Sequence, residues 1–177
     1  MNKVRRLVSS IDLVNERVGS AVLYLVPVMV LIIAYEVVAR YFFNAPTIWA
    51  YETAQFIFCA SIALGGGFTL LYGRHVNVDI VYGRVSRRTR AILDLITLPL
   101  LLVFVGVLLY LSVETTIDSF KYWERSATYW APPLQPIYIA VSVGVLLMFL
   151  QGVAMWLRAL VVAVVSNDGA NGGEVHR

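Results

Sequence analysis

Apolar residues in this chain do not alternate with polar ones, as they would in a half-buried strand. They run in four long blocks, at about 18–39, 48–72, 91–113 and 137–157, separated by short polar stretches. A helix needs ~20 mostly apolar residues to cross the hydrocarbon core of a bilayer, and each block is long enough. The few charges inside the blocks stand near their ends. The pattern predicts an all-α integral membrane protein with four transmembrane helices, forming one membrane domain over 1–165.

The flanks carry weaker patterns. In residues 1–17, Val4, Leu7, Val8, Ile11, Leu13 and Val14, continued by Val18, fall at mixed spacings among Lys3, Arg5, Arg6, Asp12, Glu16 and Arg17. Two readings stand equally: a short amphipathic helix lying at the membrane surface, or a frayed basic leader. The glycine- and asparagine-bearing stretch 166–177 reads as a disordered tail.

Punctuation inside the blocks adds detail. Pro27 and Pro99 predict bends in the first and third spans. Glu36 stands four residues before Arg40, so the two can pair across one helical turn. Asn44-Ala45-Pro46-Thr47 reads as a tight turn with Thr47 capping the next helix. Trp49 and Tyr51 anchor that helix at the interface, and Glu52 occupies its first turn, where a carboxylate is favoured. Glu36, Arg40 and Glu52 are thereby expected to meet at one edge, as a small network or as an ordinary ion pair. Gly65, Gly66 and Gly67 read as a close helix-packing site in preference to a local unwinding. Beyond the third span, 115–125 reads as a helical extension out of the bilayer, followed by a rigid re-entry at Pro132, Pro133 and Pro136.

Charge sets an expected orientation. With both termini on the cytoplasmic side, that side carries Lys3, Arg5, Arg6, Arg17, Arg74, Arg84, Arg87, Arg88, Arg90, Arg158 and Arg177. The far side carries Arg40, Lys121 and Arg125, and eleven basic residues against three is a strong positive-inside bias. The net charge of +3 is then a matter of topology and of contact with anionic membrane lipid, with no nucleic acid implied.

Chemistry is sparse. Two histidines, His75 in a connection and His176 in the tail, do not make the paired axial ligands of a membrane haem. The single cysteine, Cys59, excludes a dithiol cycle and reads as a small buried hydrophobe. No phosphate-cradling loop and no metal-ligand cluster is present, so no cofactor and no enzyme activity are expected. Gln55 and Ser61 are the deeper polar residues of the second span, and a helix–helix hydrogen bond accounts for either. A self-sufficient carrier would be expected to place an ionisable group near mid-membrane.

The ordered motifs Glu36-Val37-Val38-Ala39-Arg40-Tyr41-Phe42-Phe43-Asn44, Trp49-Ala50-Tyr51-Glu52, Gly65-Gly66 and Gly73-Arg74-His75-Val76-Asn77-Val78-Asp79 resemble the small, DctQ-like membrane subunit of TRAP transporters, the tripartite ATP-independent periplasmic transporters. The likeness extends over nearly the whole chain. It implies a multi-pass protein of the bacterial inner membrane with two partners. One is a large permease subunit that binds substrate and sodium and moves by an elevator-type mechanism. The other is a periplasmic binding protein that delivers a carboxylate-type solute. The resemblance carries Arg40, Trp49 and Glu52 over as an outer-edge network, and Gly73, Arg74, His75 and Asp79 as an inner connection.

The longest outside connection, with Asp118, Lys121, Glu124 and Arg125, is charged but nearly neutral, which suits weak docking of a delivered protein. A stand-alone oligomeric carrier or channel, and a structural or assembly protein of the membrane, remain as rival readings.

Overall fold

The computed structural model describes residues 2–72 and 87–171, with side chains from 6 to 72 and from 97 to 160. Every regular element in them is helical: α1 (Asn2–Val22), α2 (Leu25–Phe42), α3 (Ala50–Leu71), α4 (Arg87–Tyr122) and α5 (Gln135–Asn171). Among the described residues, four helical stretches are long and apolar enough to cross a membrane: Arg6–Phe42, Ala50–Leu71, Thr97–Tyr122 and Gln135–Leu160. The all-α membrane fold is therefore as the hydropathy blocks predict. α5 continues past the last apolar block to Asn171. Adding a residue to an existing helix avoids the cost of nucleating a new one.

The helices do not close into a bundle. α2 packs on α3, α3 on α5, and α5 on α4, an open row in which α2 and α4 form the two ends. α1 lies against both α3 and α5. Burial is inverted relative to a water-soluble protein. The largest side chains that are essentially fully buried are Gln151, Val105, Asn15 and Ser119, three of them polar. Meanwhile Leu31 and Val103 are 69% and 66% exposed. In a bilayer, apolar side chains gain little by leaving lipid for the interior, whereas polar groups must find partners there.

Close approach along α5 is set by small residues. A Cβ on Gly144 would lie 2.3 Å from the backbone carbon of Ala63 and 2.7 Å from the nitrogen of Leu64. Backbone cannot move aside, so glycine is required where α5 crosses α3. Of the three consecutive glycines of α3, Gly67 is the most tightly enclosed, with a Cβ position 2.0 Å from Asn15 Oδ1 and 3.3 Å from the Leu147 carbonyl carbon. Gly66 would meet only the flexible Met148 side chain, at 3.0 Å, and Gly65 has ordinary room. α3 runs unbroken through all three.

The N-terminal segment is a helix and not a frayed leader. α1 runs antiparallel along α3, and the contacts step back one turn at a time. The Tyr72 hydroxyl donates to Glu16 at 3.3 Å, Gly19 sits against the Phe68 ring, and Val22 approaches Gly65. Its inward face is Val8, Asn15, Gly19 and Val22, while Leu7, Leu13 and Val14 point outward. The apolar pattern identifies the helix correctly but not the side it docks with. α1 stops at Val22 and α2 resumes at Leu25. Pro27 is the cause: it has no N–H for the carbonyl of Leu23, and its ring crowds that carbonyl. Placed in the first turn of α2, the proline is itself tolerated. Pro99, by contrast, lies within an unbroken α4.

Candidate functional site

Two polar clusters, one toward each end of the helices along their length, join elements of the chain to one another. The N-terminal cluster begins with Asn15, whose Nδ2 donates to Gln151 Oε1 at 2.8 Å and to the Ile11 carbonyl at 3.1 Å. Gln151 Nε2 donates in turn to Asp12 Oδ1 at 3.0 Å, and Asp12 Oδ2 pairs with Arg158. Asp12 and Asn15 share a helical face by their three-residue spacing, and Gln151 and Arg158 lie two turns apart on α5. Four side chains thus form one chain of bonds between the first and last helices. Asn15 and Gln151 are fully buried; Asp12 and Arg158 close the chain at its partly exposed end.

None of these four contacts was expected. A signal was present: Gln151 is a lone amide within the last apolar block, and such a residue needs a partner. The partner was 136 residues away, on a segment whose polar face reads as solvent-directed.

The other cluster surrounds the connections 43–49 and 123–134. Glu36 Oε1 accepts from Arg40 Nε at 2.9 Å and also pairs with Nη2. Its other oxygen accepts the Thr47 backbone N–H at 3.0 Å and the Thr47 hydroxyl. Thr47 therefore does not cap α3 as expected. The helix starts after Trp49, which makes no side-chain cap, and Thr47 instead fastens the turn to α2. Asn44, at φ 50°, supplies the left-handed step of that turn, a conformation asparagine adopts more readily than most residues. Trp49 stacks on Tyr35, with centroids 6.0 Å apart.

Glu52 does not join Glu36 and Arg40. It is buried, and its Oε2 accepts the Thr128 hydroxyl at 2.6 Å. The first turn of α3 thereby holds the tip of the longer connection. The base of that connection is closed by buried Gln135, whose Nε2 donates to the carbonyls of Ser119 at 3.1 Å and Glu124 at 3.4 Å. Backbone bonds from Ser126 to Pro132 and from Leu134 to Glu124 complete a short hairpin.

Asp118, Lys121 and Arg125 are exposed around this hairpin, and Glu124 is partly covered. Lys121 Nζ lies 5.2 Å above the Tyr122 ring, and Arg125 reaches the Ala131 carbonyl at 3.4 Å. Gly73, Arg74, His75 and Asp79 lie outside the described residues, as does most of the basic connection. Two smaller expectations fail. Cys59 is exposed on α3, and so is Gln55, with no helix of this chain opposite either. Ser61 satisfies its hydroxyl on the Ile57 carbonyl at 2.7 Å.

No group of three or more metal-ligating side chains occurs among the described residues. The buried polar side chains are largely engaged in joining helices and connections to one another. Residues 29–162 match the family described as Tripartite ATP-independent periplasmic transporters, DctQ component.

This chain belongs to the DctQ family.

A relative, the C4-dicarboxylate TRAP transporter small permease protein DctQ of Vibrio cholerae serotype O1 (strain ATCC 39315 / El Tor Inaba N16961), is 28% identical over 100 residues. That match covers 56% of this chain and 40% of the relative's length. The family region starts within α2 and ends within α5, so α1 up to Val22 stands outside it. The N-terminal cluster consequently joins a segment outside the family region to a helix inside it.

Proposed function

We propose that this chain is the small, non-catalytic membrane subunit of a tripartite secondary transporter. It braces a large ion-coupled permease subunit and helps to receive a periplasmic substrate-binding protein during uptake of a carboxylate-type solute. The observation that carries the reading is the DctQ match over most of the apolar chain. The geometry supports it: buried polar side chains are used to pin helices and connections, which suits a rigid support more than a moving carrier.

In this reading the sodium gradient and the substrate site belong to the large subunit. The relative is named for C4-dicarboxylate transport, which makes a C4-dicarboxylate the first solute to test. Both termini are cytoplasmic, following the eleven-to-three distribution of basic residues. That places the hairpin with Asp118, Lys121, Glu124 and Arg125 on the periplasmic side, available to a delivered protein. Its mixed charge suits brief, repeated docking.

Co-expression with a large TRAP permease subunit from the same organism, and purification through a tag on this chain, tests the proposal. A one-to-one complex is expected, transporting in liposomes only with a binding protein and a sodium gradient. Recovery of this chain alone, with the large protein transporting normally without it, would overturn it. Transport by this chain alone would favour the small-carrier reading instead.

A further inference from the structure

The outer face of α3 carries Tyr51, Gln55, Phe58, Cys59 and Ile62, all exposed and spaced to form one stripe. Gln55 lies five residues beyond the start of a 22-residue helix, so its amide sits about 8 Å along the helix from that end, within the span. An amide facing hydrocarbon with no partner is costly, because lipid tails offer it neither donor nor acceptor. The stripe is also not isolated. Tyr51 forms one wall of a groove of about 320 Å³ between α2 and α3, lined further by Ile33, Glu36, Val37, Arg40 and Ala50.

The outer face of α4 offers the contrast. Leu100, Val103, Phe104, Val107 and Leu111 are exposed there with no polar side chain among them, as a lipid-facing surface requires. A groove of about 470 Å³ also runs along α4, with Glu114 and Asp118 in the C-terminal third of that helix; the α2–α3 end differs in setting an uncharged, unpartnered amide beside its groove.

We infer that the α2–α3 face is where a spanning helix of the large membrane subunit packs, with Gln55 hydrogen-bonded to a polar side chain on that helix. This inference rests on the proposed role as a small permease subunit. A helix is the fitting occupant because it satisfies its own backbone, fills a groove, and can present one hydrogen-bonding side chain at a defined height. A lipid chain would fill the groove but leave the amide without a partner.

The native Cys59 on the stripe permits a direct test. The complex is prepared with a cysteine-free large subunit, Cys59 is labelled with benzophenone maleimide, and the sample is irradiated. A second preparation carries Cys59→Ser with Val107→Cys on α4. The expected result is a cross-link to the large subunit from Cys59 and none from position 107. The Gln55→Leu variant should weaken the complex about 3- to 20-fold on dilution, the range for one interhelical hydrogen bond in a membrane. The Val107→Leu variant should leave it within about twofold.

Cross-linking from position 107 in place of Cys59, or between two copies of this chain, would overturn the face assignment while leaving the subunit role intact. Unchanged affinity in Gln55→Leu would remove the hydrogen bond. Failure of the large subunit to co-purify with the unaltered chain would overturn the subunit role and this inference together.

Discussion

The two polar clusters, at opposite ends of the helices along their length, solve the same problem differently. At the N-terminal end, four side chains from α1 and α5 form a continuous chain of bonds across 136 or more residues of sequence. At the other end, Glu36, Thr128 and Gln135 each fasten a connection to a nearby helix terminus, often through backbone groups. The first arrangement is cooperative: removing its centre leaves other buried groups unpaired. The second consists of separate clasps, each removable with little effect on the others. A helix held by buried amides should therefore be lost as a unit, whereas the connections should loosen one at a time.

That difference can be broken or sharpened by substitution. The largest effect is expected from Gly67→Leu, whose side chain would enter the space of Asn15 and the Leu147 backbone. A loss of about 3 kcal/mol is expected from overpacking, read as a collapse of thermal stability in detergent. A variant that melts with the parent would show that α1 can leave α3 freely.

Next comes Gln151→Leu, which removes the link between Asn15 and Asp12 and leaves a buried amide short of a partner. It should cost about 1–2 kcal/mol and open α1 to trypsin at Arg17. Unchanged digestion would mean that apolar contacts alone hold α1.

Glu36→Gln and Thr128→Val act at the other end, each removing one clasp and with a smaller effect than Gln151→Leu. Faster amide exchange is expected in 45–49 for the first and in 124–134 for the second, with no change in α1. Spread of either effect to α1 would contradict the picture of independent clasps. The smallest effect is expected for Arg158→Gln. Its pair with Asp12 is partly exposed, so below ~1 kcal/mol is expected, shrinking as salt rises. A loss as large as that of Gln151→Leu would place the pair inside the cooperative unit.

The mistakes made from sequence share a cause. Glu36–Arg40 was legible because its four-residue spacing is a property of one helix. The division into spans was legible because lipid imposes length and hydropathy on each helix separately. Thr47 was misread because a capping pattern is local, whereas its actual acceptor sits eleven residues back on another helix. Of the two readings at the outer edge, the ordinary Glu36–Arg40 pair holds and the network with Glu52 does not, because the partner of Glu52, Thr128, is supplied by the far connection. Cys59 and Gln55 were read as helix-facing, and the order of helices in the row leaves their side uncovered.

α1 gives the clearest case. Periodicity announced a helix with a polar side, and in water a polar side faces solvent. Here Arg6, Ser9, Ser10, Glu16 and Arg17 do stay exposed, but Asn15 turns inward with Val8, Gly19 and Val22, because the buried amide of Gln151 needs a partner.

By itself the sequence determined the helical spans, the break at Pro27 and the family, since each depends on residues close together in the chain or on their order. Which helices touch, which face of each is covered, and which polar groups meet were decided only by the tertiary structure. Helix pairing in a bilayer depends on small-residue contacts and on matching one polar side chain to another, and neither leaves a period in the sequence that names its partner.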